Sequence, residues 1–176
     1  SISGPDLGSD SVKLIKNKKI AILSGDDNLN SVSSLNYGSI WHFFEQELRY
    51  PLTHLNIKDF KRVSLDKFDV LIIPDGYYGS IGNESNLDKI ESWMYKGGNI
   101  IAFEDAIKIF SNKEGFSLKT KKIKEVEKEE VNFEDISRNN IQNYLAGAIF
   151  KVKIDETHPL AFGYNKEYYS LKTSTS

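Results

Sequence analysis

No cysteine occurs in this chain, which excludes disulfides, thiolate metal sites and thiol catalysis. Neither sign of charge dominates: 23 Lys and Arg face 25 Asp and Glu, for a net charge of −2. That balance gives no electrostatic footprint for nucleic acid or an anionic membrane. No apolar run approaches the roughly 20 residues that cross a bilayer, so no membrane span is expected. Gly-x-Ser-x-Gly, His-Glu-x-x-His, the dinucleotide-binding glycine pattern and the phosphate-binding Walker loop are all missing, and no cofactor or metal is expected. The three histidines, His42, His54 and His158, have no metal-ligand spacing.

What is present suits a globular domain. Of 176 residues, 39% are apolar and 27% charged, enough for one core of ordinary size. The start, Ser1-Ile2-Ser3-Gly4-Pro5, carries no Met and no leader-like pattern, so a processed protein or an excised domain is expected. Residues 1–16 read as a linker and 17–176 as a single domain.

Continuous apolar runs at Lys19–Leu23 and Phe68–Pro74 predict strands buried on both faces. Leu52–Leu55 and residues 99–103 add two more, the latter also read as buried. Helices are predicted over roughly 36–49, from Ile40, Phe43, Phe44 and Leu48, and over a segment capped by Ser85 or Asn86, from Leu87, Ile90, Trp93 and Met94. Residues 148–154 alternate as a half-exposed strand, and Tyr168–Leu171 is a further short one. Residues 113–130 hold six Lys and five Glu, the mark of a solvated connector or edge strand. The alternation predicts an α/β fold: a flavodoxin-like, doubly wound, mainly parallel sheet with helices on both faces.

Ligands of such sheets bind beyond the carboxyl ends of the strands. The predicted binding residues there are Asp26, Asp75, Tyr77, Tyr78, Glu104 and Asp105, with Asp27 beside them and the two tyrosines offering stacking faces. So many carboxylates on one rim need a cation, a basic side chain or an amide-bearing ligand to offset repulsion. Alternatively, Asp26, Asp27 and Asp105 cap the helices that follow. The aspartate placement also resembles the phosphoacceptor pocket of receiver domains. However, Ala102-Phe103-Glu104 stands where those domains need Thr or Ser, and no Lys-Pro dipeptide occurs.

In order, KIAILSGDDN, GSIWHFFEQELRYPLTHLN, FDVLIIPDGYY, LDKIESWMYKGGNIIAFEDA and AIFKVKIDETHPLAFGY cover about residues 18–172. Together they resemble the class I glutamine amidotransferase-like superfamily, and in particular the domain at the C-terminal end of bacterial zinc carboxypeptidase-family proteins, especially from Bacteroidetes. The resemblance implies a flavodoxin-like sheet, a secreted, periplasmic or envelope location, and an upstream peptidase module of the same polypeptide as partner. It also implies that Glu104 occupies the strand-to-helix elbow where active members carry a nucleophilic cysteine. No catalytic residue is assigned, and His158 is given no role because His-Pro-Leu replaces the His-Pro-Glu of active members. Three functions follow as expectations: a non-catalytic accessory domain that packs against the peptidase module or binds substrate or envelope polymer, a small-molecule, peptide or glycan-binding module at the crevice, or an atypical hydrolase using Glu104.

Overall fold

A computed structural model describes residues 16–121 and 147–172, and the chain divides into two units, Ser1–Lys121 and Lys122–Ser176. The predicted linker, but for Lys16, and most of the Lys/Glu-rich stretch lie outside the described residues. In the first unit, strands β1 (Ile20–Ser24), β3 (Thr53–Asn56), β4 (Val70–Ile73) and β6 (Asn99–Ala102) form a parallel sheet in the order β3-β1-β4-β6. The fold is thus α/β, built on a mainly parallel sheet with helices.

The two central strands are where the apolar runs placed them. Ala21, Ile22 and Leu23 of β1 and Leu71, Ile72 and Ile73 of β4 are all buried, each contributing roughly 1.5–3 kcal/mol if large. Side chains alternate across a strand. Accordingly Ala21, Leu23, Leu71 and Ile73 join the core cluster containing Leu87, Ile90 and Trp93, while Ile22 and Ile72 join another containing Ile40 and Leu52. The outer strand β6 departs from expectation: among the described residues it is an edge, and Ile101 is 45% exposed.

Helix α2 (Glu84–Tyr95) is capped by Asn83, whose side chain accepts from the Asn86 N–H at 2.9 Å, and by neither Ser85 nor Asn86. Asn86 is instead buried, donating to the Ser80 carbonyl at 2.9 Å. At the other end Gly98 packs so closely that a Cβ would lie 2.2 Å from the Trp93 ring, which only glycine permits.

The helix predicted over 36–49 is two objects. Helix α1 (Ser34–Trp41), capped by Ser33, runs into a π-helical segment at His42–Glu47. The Leu48 N–H bonds to the Phe43 carbonyl at 3.0 Å, a five-residue step that widens the turn. The segment stops where Arg49 adopts φ +52° and Tyr50 meets Pro51, which disfavours helical backbone before it. Two strands were not foreseen: β2 (Asn30–Val32) pairs antiparallel with β5 (Gly76–Tyr78).

In the second unit β7 (Ala148–Lys153) and β8 (Glu167–Lys172) pair antiparallel. Between them a 3₁₀ turn at Pro159–Ala161 is capped by His158, whose Nδ1 accepts from the Leu160 N–H at 3.2 Å. The predicted half-exposed alternation of β7 is not observed, since Ile149, Phe150 and Val152 are all exposed.

Candidate functional site

The carboxyl ends of β4 and β6 meet in one place. After β4, the buried Pro74 leads to Asp75, whose backbone is tied to the start of α1. Its N–H donates to Asn36 Oδ1 at 3.0 Å, and its carbonyl accepts from the Ser33 N–H at 2.8 Å. After β6, the chain turns at Phe103 into a 3₁₀ run at Glu104–Phe110, and the Asp105 N–H donates to Asp75 Oδ1 at 3.1 Å. That bond joins the two strand ends across the crevice. Gly76 follows Asp75 because β2 lies against it: a Cβ there would sit 2.2 Å from the Ser31 carbonyl oxygen.

A cavity of about 540 Å³ opens here, lined by Asp75, Tyr77, Tyr78 and Asp105 together with Lys108, Ile109, Lys113 and the glycines at 76, 79 and 82. Four of the six predicted binding residues are therefore brought together. Carboxylate repulsion is offset by a basic side chain, for Lys108 Nζ lies 2.7 Å from Asp105 Oδ2. Lys113 adds a second ammonium at the rim. Among the described residues no three His, Cys, Asp or Glu side chains converge as a metal site would require.

The tyrosines divide the work. Tyr77 is 70% exposed and offers its ring to the cavity. Tyr78 is buried and donates its hydroxyl to the Pro74 carbonyl at 2.7 Å, so it is no stacking face. Burial, then the Asp75 carboxylate, pushes its phenol far above the ordinary range.

Asp26, Asp27 and Glu104 do not line the cavity. Asp26 is exposed and bridges to Ser31, and Asp27 caps no helix. Asp27 Oδ1 accepts from the Leu29 and Asn30 N–H groups at 2.8 and 2.9 Å and from Asn30 Nδ2 at 2.9 Å, fixing the turn into β2. These bonds, the Leu29 one foremost, hold its carboxyl below the usual range. Asp105 pairs with Lys108 rather than capping. Glu104 is exposed, yet its backbone has φ +47°, a left-handed conformation that costs a non-glycine residue about 1 kcal/mol or more. The backbone at Glu104 is thus left-handed where β6 gives way to the 3₁₀ run, and its exposed side chain is not among the residues lining the cavity.

A second polar cluster, which the sequence did not suggest, lies toward the opposite edge of the sheet. His54 on β3 stands between the Tyr37 hydroxyl, 2.6 Å from Nδ1, and Glu45 Oε1, 3.1 Å from Nε2. The Trp41 indole N–H donates to Glu45 Oε2 at 2.8 Å. Only the four-residue step from Trp41 to Glu45 was a local signal. Pairing either with His54 requires knowing that β3 runs beside the π-helical segment. His42, the other histidine of this region, is exposed, its Nδ1 3.4 Å from Glu47 Oε1.

Fold and crevice together define an α/β domain with a charge-balanced cavity at its strand ends. In comparison with known proteins, the chain matches no family model, no curated protein and no solved structure. Among the described residues no helix is long and apolar enough to cross a membrane.

Proposed function

We propose that this chain is a non-catalytic, amidotransferase-like accessory domain of flavodoxin-like architecture, belonging to a larger, exported zinc carboxypeptidase-like protein, and that its crevice binds a peptide or glycan. One observation carries the reading. The 540 Å³ cavity gathers an exposed aromatic ring, two carboxylates and two ammonium groups, but its described lining holds no Ser, Thr, His or Cys. Those groups suit binding: Tyr77 stacks on a sugar or side chain, while Asp75, Asp105, Lys108 and Lys113 hydrogen-bond hydroxyls or the charged ends of a peptide. The upstream peptidase module would be the natural neighbour, delivering or sharing the ligand.

Thermal unfolding with a panel of short free-carboxyl peptides and N-acetylated oligosaccharides tests this. A ligand at a hundred times its dissociation constant stabilises by about 2.7 kcal/mol. The expected result is a rise in Tm with at least one panel member that Tyr77→Ala abolishes. A panel with no effect, or an equal rise in Tyr77→Ala, ends the proposal.

The strained backbone at Glu104 favours one further reading, hydrolysis by that carboxylate. Its exposed position outside the cavity makes equal turnover of amides, esters and glycosides by the wild type and Glu104→Gln the expected outcome.

A further inference from the structure

The Tyr37, His54 and Glu45 cluster is arranged as a hydroxyl–imidazole–carboxylate relay. Glu45 is held as a carboxylate by three donors: the Trp41 indole N–H at 2.8 Å, His54 Nε2 at 3.1 Å and the Leu52 N–H at 3.4 Å. Those hydrogen bonds, the Trp41 one foremost, keep its carboxyl below the usual range. A carboxylate only accepts, so Nε2 of His54 must carry a hydrogen. In the neutral imidazole Nδ1 is then the lone-pair nitrogen, and it accepts the Tyr37 O–H at 2.6 Å. Carboxylate, imidazole and hydroxyl thus stand in the order that lets a base take a hydroxyl proton and a carboxylate steady the resulting cation.

Three features suit reaction rather than structure alone. The His54 side chain is 38% exposed, and Tyr37 is only half-buried, so the pair is within reach of solvent and small solutes. Burial, then the Glu45 carboxylate, raises the Tyr37 phenol, so it keeps its proton at neutral pH and needs a base to react. The unusual six-residue π-helical segment is what sets Glu45 opposite His54, and such segments concentrate at functional sites.

We propose that Tyr37 is a reactive phenol, an acyl acceptor for activated esters, with His54 as its base and Glu45 as the residue that positions His54 and steadies the cation it becomes. Tyr37 Oη forms the bond to the acyl carbon while its proton passes to His54 Nδ1. The bond from that carbon to the leaving oxygen then breaks, and the proton on Nδ1 goes to the leaving oxygen. The products are O-acyl-Tyr37 and an alcohol or phenol. No oxidant or metal is required. Tyr37 and Glu45 are the titratable groups bonded to His54 among the described residues.

The probe is p-nitrophenyl acetate, with acetylation of each tyrosine followed by peptide mass spectrometry. Tyr77 and Tyr95, 70% and 82% exposed, serve as internal controls. General-base assistance is worth roughly 10²–10⁴-fold, so Tyr37 is expected to be acetylated at least ~10-fold faster than either control at pH 7.5. His54→Gln should bring Tyr37 down to the control rate, and Glu45→Gln should lower it in part. Should either variant fail to fold, the wild-type pH profile decides. The Tyr37 rate should depend only weakly on pH above about 7.5, whereas the controls keep gaining rate as phenols ionise toward pH ~10. Acetylation of Tyr37 no faster than the controls, or a profile parallel to theirs, overturns the proposal.

Discussion

The two faces of the sheet are unequally supported. On one, among the described residues, fifteen buried side chains form a single cluster that includes Ile90 and Trp93 of α2 and Phe60, Leu65 and Phe110 from the connecting turns. On the other, among the described residues, only Ile22, Ile40, Leu52 and Ile72 form the buried cluster, flanked by partly buried Tyr37 and Phe44. The regular helix lies on the thick face and the helix that loosens into a π turn lies on the thin one. Where apolar burial is abundant, packing fixes the backbone. Where it is sparse, the Trp41–Glu45–His54–Tyr37 hydrogen bonds join the elements.

If that contrast holds, equal truncations should have unequal costs. Ile90→Ala, at a fully buried position, should destabilise by about 4 kcal/mol, and Ile40→Ala, on the thin face, by about 2 kcal/mol. Urea denaturation measures both, and equal costs would break the contrast.

The polar tie on the thin face should show itself in acid. Hydrogen bonds lower the Glu45 carboxyl when folded, so its contribution is present above its unfolded pKa, about 4.3, and disappears as pH falls through the lower folded value. Between pH 5 and pH 3 the wild type should lose Tm more steeply than Glu45→Gln, which starts lower at pH 7. Parallel slopes would mean that the carboxylate ties nothing.

The smallest effect is expected at the elbow, outside both clusters. With φ +47° at residue 104, Glu104→Gly should stabilise by about 0.5 kcal/mol and Glu104→Val should destabilise by about 1–2 kcal/mol. The opposite order in thermal melts would mean that the left-handed conformation is absent in solution.

Much of this was open to sequence reading because it rests on local signals. The runs around Ile22 and Ile72 had to be buried strands, and the strand-end rule led directly to Asp75 and Asp105. Leu87, Ile90 and Trp93 marked the inner stripe of α2, although Met94 turned out 38% exposed. What escaped was set by partners distant in the chain. Strands β2 and β5 are three residues each, too short for a period to show, and exist because Asn30 to Val32 meet Gly76 to Tyr78. Without β5 the parity of the tyrosine pair was undetermined, which is why Tyr78 was read as a stacking face. A left-handed glutamate has no signature in sequence, so the strain at Glu104 emerged only from the backbone.

The β2–β5 ladder has a final consequence for recognition. Tyr77 sits on a paired strand opposite Ser31, with Gly76 wedged against that partner, so its backbone is tied in place by the ladder. A guest of the proposed kind would spend no affinity on ordering a floppy loop there. If the proposed binding role holds, selectivity at this crevice should therefore follow an aromatic shelf on a fixed backbone, with discrimination falling on the guest's flat, apolar side.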